Sequence, residues 1–302
     1  MSTIYTDASK RHDFLFLFDV TDGNPNGDPD NDNLPRTDPE TGQGLVTDVC
    51  IKRKIRDFVT VDKENKIPHR IYVQKNDTAL NEKHQEAYTA TGKKSTGTKQ
   101  DKDDVMATQK WMCQTFYDVR TFGAVMSTGI NCGQVRGPVQ LTFARSLDRV
   151  FSYDLSITRV AVTKPEDAKV VVGDDEKGKG KQTEMGRKAL LPYGLYMGYG
   201  FFNPLLAKGT GFSTEDLTLF WEAMQGMFGL DRSASRGWME LRGLYIFTHD
   251  KPTGNAPSHH LFPRIKHTLK AGIEAPRKFE DYEHSIDDKN LPNGITVTKL
   301  VQ

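Results

Sequence analysis

Lys52, Arg53 and Arg56 fall on one side of a short predicted helix, and the chemistry open to them is charge pairing with phosphate. They follow a loop rich in carboxylates, amides and glycine. In that loop Asn24, Asn26 and the backbone amides of the Gly-containing turns can hydrogen-bond phosphate or a ribose 2′-OH without reading a base. Arg36 and Thr37 stand in the same loop. Arg136 sits in a second polar turn, Gly133-Gln134-Val135-Arg136-Gly137, placed either to reach phosphate or to close a structural ion pair. Each feature also has a plainer reading. Basic residues on an amphipathic helix commonly form a solvated face. The loop also fits the opening of a calcium loop, with Asp22, Asn24, Asn26 and Gly27 matching D-x-[DN]-x-[DN]-G. Its closing Glu position is Asn33, however, and a strand precedes it where a calcium loop wants a helix. Among the eight histidines (His12, His69, His84, His249, His259, His260, His267 and His284) none has metal-ligand spacing. No catalytic residue, metal site or cofactor motif emerges: G-x-S-x-G, the phosphate-cradling loops and a reactive-cysteine context are all missing. A metal-free ribonuclease stays open, because general acid–base cleavage of RNA needs only one positioned His or Lys.

Two elements must hold this chemistry in place. Phe14-Leu15-Phe16-Leu17-Phe18-Asp19-Val20 is apolar on both parities, which predicts a strand covered on both faces. Asn24-Pro25, Asn26-Gly27, Asp28-Pro29 and Gly42 break any regular element after it. Thr47 is placed to cap the next helix, with Val46 and Ile51 as a hydrophobic staple. Ile51, Ile55 and Phe58 then point inward, and Lys52, Arg53 and Arg56 outward.

The 302 residues suffice for one large domain or two small ones, and a net charge of +1 argues against an indiscriminate polycation. The chain shows no signal peptide and no membrane-length apolar run, and Cys50, Cys113 and Cys132 are scattered and odd in number. A cytoplasmic protein with reduced thiols is the expectation. Gln74 to Asp104 is poor in large apolar residues, which predicts a helix near Thr78 to Tyr88, a mobile loop and little packing. Val160 to Lys188 predicts a protruding hairpin, with a short strand at Val170-Val171-Val172 and a return strand from Thr183 to Ala189.

The remainder reads as α+β. Pro138 to Leu147 and Leu241 to Thr248 are strand-like. Ser213 caps a helix with Asp216 at the capping-box position and Phe212 against Leu217 as a staple. Leu217, Phe220, Trp221, Met224 and Phe228 form its buried stripe, and Gly229 is placed to end it. The order of elements suggests a ferredoxin-like sheet covered by helices on one face. The Tyr193 to Phe202 aromatics read as core or subunit interface.

Four strings carry a family resemblance: DVTDGNPNGDPDNDNLPRTDPETGQGLVTDVCIKRKIRDF from Asp19, DVRTFGAVMSTG from Asp118, GQVRGPVQLTFARS from Gly133 and LPYGLYMGYGFFNP from Leu191. In order along most of the chain, they resemble the backbone subunit of the type I-C CRISPR Cascade complex, of the Cas seven family in the RAMP superfamily. The resemblance implies a single ferredoxin-like (RRM-like) palm over residues 1–302, with a finger insertion at 74–117 and a protruding thumb β-hairpin at 160–190. It implies that several copies stack into a helical filament on the spacer of CRISPR RNA and hold it independently of sequence for pairing with target DNA. Each thumb would displace one base, for which Val171 or Met185 is the candidate wedge. It further implies no catalysis by this subunit. Implied partners are a Cas five-type subunit, large and small subunits, and a recruited helicase-nuclease.

Overall fold

The structure, a computed structural model, describes residues 3–74, 78–97, 99–164 and 184–301. The chain begins with β1 (Arg11–Gly23), two short strands, β2 (Gly27–Asp28) and β3 (Leu34–Pro35), then β4 (Gln43–Val46) and α1 (Asp48–Asp62). There follow α2 (Leu80–Ala90), α3 (Lys102–Thr115), α4 (Tyr117–Phe122), β5 (Gly123–Val125) and β6 (Gln134–Arg136). Next come β7 (Val139–Leu141), β8 (Ala144–Arg149), β9 (Tyr153–Arg159) and the long β10 (Glu184–Phe202). The last part holds α5 (Pro204–Thr210), α6 (Thr214–Leu230), β11 (Trp238–His249), α7 (Ser258–Leu261), β12 (Ile265–Leu269), β13 (Tyr282–Ile286) and β14 (Ile295–Val301).

The central sheet is antiparallel, in the order β14-β11-β1-β10-β8-β4, with β7 and β9 also on β10. Its spine is β1, whose two parities serve two cores, as its sequence predicts. Phe14, Phe16, Phe18 and Val20 meet Ile51, Ile55 and Val59 of α1 and Leu217, Phe220, Trp221, Met224 and Phe228 of α6. Leu15 and Leu17 pack on the opposite face with Leu261, Ile265 and Tyr282, from α7 and the β12–β13 hairpin. Helices therefore cover one face and a small hairpin most of the other. Each fully buried Phe or Leu contributes about 1.5–3 kcal/mol, so this two-sided spine is a large share of the driving force.

β10 answers β1 with small residues opposite large ones. Gly198 and Gly200 sit opposite Phe16 and Phe14, and a Cβ on Gly200 would lie 2.0 Å from the Phe14 ring. The LYMGYGFF run is thus a packing code, and Tyr196 and Phe202 are wholly interior.

The predicted caps are in place. Thr47 accepts from the Cys50 amide at 3.2 Å, and the Ser213/Asp216 capping box is complete. Glycine does not end α6 at position 229; the helix runs to Leu230 and is capped by Asp231. The Pro138–Leu147 strand is broken in two, because the Thr142 hydroxyl accepts the Tyr199 amide at 3.1 Å in place of a ladder carbonyl.

Two further expectations need correction. The segment after Gln74 does pack: Tyr88 and Ala87 of α2 join Met112, Cys113, Phe116, Met126, Cys132 and Tyr72 in a third core. Most of those partners lie outside the polar stretch, so its own composition concealed them. The projecting ribbon pairs Glu184–Leu190 with Tyr153–Arg159, so its outgoing strand precedes Val160. The Val170–Val172 strand and the predicted wedge Val171 lie outside the described residues.

Candidate nucleic-acid interface

The loop between β1 and α1 is built before it can bind anything. The Asn26 side-chain oxygen accepts both the Thr47 amide (2.9 Å) and the Thr47 hydroxyl (3.0 Å), which ties the loop to the helix cap. Asn24 is 4% exposed and its side chain donates to the Asn33 carbonyl at 2.7 Å, while its side-chain oxygen Oδ1 has no partner among the described residues. Asp28 pairs with Arg36 at 3.1 Å, and Thr37 is exposed in a bridge to Gly44. Asn24 and Asn26 therefore shape the loop, and of the four candidate contacts in it only Thr37 is exposed and Arg36 partly so, beside exposed Asp30 and Asp32. The calcium geometry suffers for the same reason, since Asn26 has turned its oxygen onto Thr47. Among the described residues no group of three or more His, Cys, Asp or Glu is arranged around a metal.

The basic face of α1 is not bare. Lys52 pairs with Asp48 at 2.8 Å, and Arg56 with Asp118 at 2.8 Å; their side chains are only 14% and 12% exposed. Asp118 also accepts the Tyr72 and Val73 amides at 2.7 and 3.1 Å, so Arg56 closes a buried carboxylate hub. Both cations lie over the Phe122 ring, at 5.6 and 5.3 Å. The outward side predicted for Lys52 and Arg56 is thus half right. Their partners come from one helical turn back and from a helix sixty residues on, and only the first is visible locally. Arg53 is the exposed member, shared between Asp57 at 3.3 Å and Asp231 at 2.9 Å.

Sequence reasoning missed Lys54 altogether. It is 1% exposed and reaches the same Asp231 carboxylate, which also sits near Arg236. Burial pushes the Lys54 ammonium down to about 8; Cys50 opposes the shift, and Arg236 and Arg53 add to it. Arg236 donates to the Asn24 and Pro25 carbonyls at 2.9 and 3.0 Å, so the α6 C-terminus, the loop and α1 meet at one acidic residue. A lysine between Arg53 and Ile55 on an amphipathic helix is the one local hint of this.

Arg136 is exposed at the end of β6 and makes no ion pair among the described residues, so the structural alternative weighed for it is not found. No hydrogen bond or ion pair among the described residues links it to the β1–α1 loop. Met185 is 80% exposed on the projecting ribbon, opposite Thr158. All of β9 is exposed, with Tyr153, Leu155 and Ile157 along one side.

Two of the histidines, His12 and His249, are wholly interior. His12 bonds Thr248 and the Asp7 carbonyl, each at 3.0 Å, and burial lowers it to about 4. His249 lies 3.4 Å from Asp13, both fully buried. Burial would raise the Asp13 carboxyl, but His249 beside it and the Arg11 guanidinium, which donates to both its oxygens at 2.9 and 3.0 Å, hold it below the usual carboxylate range. Strand pairing thus joins two residues that sequence neighbours could not, in an interior no substrate reaches.

A family model described as CRISPR-associated protein Cas7 matches residues 10–287. The chain belongs to the Cas7 family. A CRISPR-associated protein Cas7 of Haloferax volcanii is 29% identical over 238 residues, 71% of this chain and 64% of that protein. The chain therefore spans less than two thirds of that relative's length. Among solved structures, a chain titled CRISPR RNA-guided surveillance complex, pre-nicking, has a TM-score of 0.48 at 14% identity, covering 78% of each chain. Another, titled CRISPR RNA-guided surveillance complex, has a TM-score of 0.46 at 15% identity, covering 78% of this chain and 68% of that one. No helix among the described residues is long and apolar enough to cross a membrane.

Proposed function

We propose that this Cas7 chain is the non-catalytic backbone subunit of a type I-C CRISPR Cascade complex. Copies of it assemble in the cytoplasm as a helical filament on the spacer of CRISPR RNA and present that RNA to target DNA. The observation that carries the reading is the family match across residues 10–287. The geometry supports it in three ways. The order β1-α1-β8-β10-α6-β11 with sheet order β11-β1-β10-β8 suits a ferredoxin-like palm. The α2–α3 unit at 74–117 suits a finger, and the ribbon ending near 190 suits a thumb, with Met185 exposed to displace a base. The exposed or half-exposed groups Arg36, Thr37, Arg53 and Arg136 suit phosphate contacts that ignore sequence. Lys52 and Arg56 reach phosphate in this reading only by exchanging their carboxylates, and Asn24 and Asn26 act by holding the loop. Base pairing then does the reading, as a guide carrier requires. A Cas five-type subunit, large and small subunits and a helicase-nuclease complete the assembly.

The test is titration of the purified chain with labelled single-stranded RNAs of unrelated sequence. Comparable affinities, assemblies that lengthen with the RNA, and intact RNA at the end are expected. A preference beyond about tenfold, roughly 1.4 kcal/mol, for one sequence would sink sequence independence. Accumulating cleavage products would favour the endoribonuclease alternative.

A further inference from the structure

Between α3, β6 and α5 lies a cleft of about 540 Å³ that brings Arg136 together with groups not yet described. One wall is a single face of α3, where Met106, Gln109, Lys110 and Cys113 follow helical spacing. β6 supplies the second wall with Arg136, and α5 the third with Leu205 and Lys208. No Asp or Glu lines it, in a chain with 41 basic and 40 acidic residues. Lys110, Arg136 and Lys208 are all exposed, and their side chains make no hydrogen bond or ion pair among the described residues. That sets them apart from the cations of α1, each of which has its carboxylate. Met106 and Leu205 are 57% and 51% exposed, so the cleft combines a cationic rim with apolar contact surface.

We infer that this cleft is a second nucleic-acid site, taking the phosphodiester backbone of a single strand on Lys110, Arg136 and Lys208 and a base edge or face against Met106 and Leu205. Cations from three separate elements, with no carboxylate among the cleft's lining residues, suit a chain of phosphates. No aromatic ring faces the cleft, and of its amide side chains Gln109 is already donating to the Gln134 carbonyl, so the backbone contacts of the three cations are its main means of holding a strand. The inference rests on the proposed function only in taking the ligand as nucleic acid.

The test uses the full chain with both cleft lysines reversed, Lys110→Glu and Lys208→Glu, leaving Arg136 and α1 intact. Binding of a labelled RNA strand and of the same sequence as DNA is followed against salt. Two lost contacts lower the slope of log K on log salt by about 1.4 for single strands and weaken binding at least about tenfold near physiological salt. Loss for both strands supports a shared phosphodiester site; loss for one strand supports it and assigns the cleft to that strand. An unchanged slope while wild type binds overturns the cleft and leaves the proposed function standing. Failure of wild type to bind either strand overturns both. Displacement of the strand by poly-glutamate at equal charge concentration overturns the assignment in favour of an acidic protein surface. If the variant does not fold, acetylation footprinting of wild type decides: Lys110 and Lys208 protected by the strand support the site, and unprotected lysines overturn it.

Discussion

Replacing Arg56 with Ala should look like a folding defect and not like a lost RNA contact. Arg56 donates to Asp118, which is 1% exposed, from a side chain that is itself 12% exposed. Removing one partner of a buried pair costs about 3–5 kcal/mol. The Tyr72 and Val73 amides still hold the Asp118 carboxylate, which points to the lower end, about 3 kcal/mol. Loss of the guanidinium from the Phe122 ring face adds roughly 0.5–1 kcal/mol. At about 2 °C per kcal/mol for a chain of this size, the melting temperature should fall by roughly 7–8 °C. Adding Asp118→Asn should restore part of the loss, since the stranded charge goes with it. The companion assay is the salt dependence of RNA binding, whose slope should stay within experimental scatter of wild type. Arg136→Ala should do the reverse: no change in melting and a slope lower by about 0.7. An Arg56→Ala protein that melts like wild type but loses a phosphate's worth of slope would refute the hub argument.

Three other outcomes follow from the same geometry. Asp216→Ala removes a carboxylate that takes Arg120 at 2.9 and 2.7 Å and completes the α6 capping box, so denaturant melts should show a loss of about 4 kcal/mol; less than about 1 would contradict the burial reasoning. His12 falls from an ordinary 6.5 to about 4 in the fold, so the unfolded chain binds the proton first. The His12 contribution should be full above pH 6.5 and fall by about 3 kcal/mol as pH drops to 4, with His267, also lowered to about 4 by burial, and His69 and His84, lowered for the same reason, adding losses in the same window; a flat profile between 7 and 4 would count against it. Calcium should leave the melting temperature unmoved, because Asn26 is committed to Thr47, and a rise of several degrees abolished by Asp22→Ala would reopen the calcium reading.

Local rules gave away the skeleton. A strand apolar on both parities, a Thr cap and a Ser/Asp capping box are short-range signals, and each one held. The β1–α1 loop was legible as an ordered turn cluster, though not as a scaffold whose amides are already spent. What stayed hidden is pairing over long range. Nothing near Arg56 announces Asp118, nothing near Lys54 announces Asp231, and the polar stretch after Gln74 packs through residues that lie mostly beyond it. A helical wheel shows which side a cation leaves from and not what waits there. The cleft of Lys110, Arg136 and Lys208 escaped for the same reason, since its walls lie roughly thirty and seventy residues apart.

The central claim, a carrier that holds guide RNA without reading it, is tested most directly by isolating the chain from the cells that make it and sequencing the nucleic acid that stays bound. The account predicts single-stranded RNA of many unrelated sequences, with several copies of the chain on each molecule. Protein free of nucleic acid, or bound to one recurring sequence motif, would contradict it.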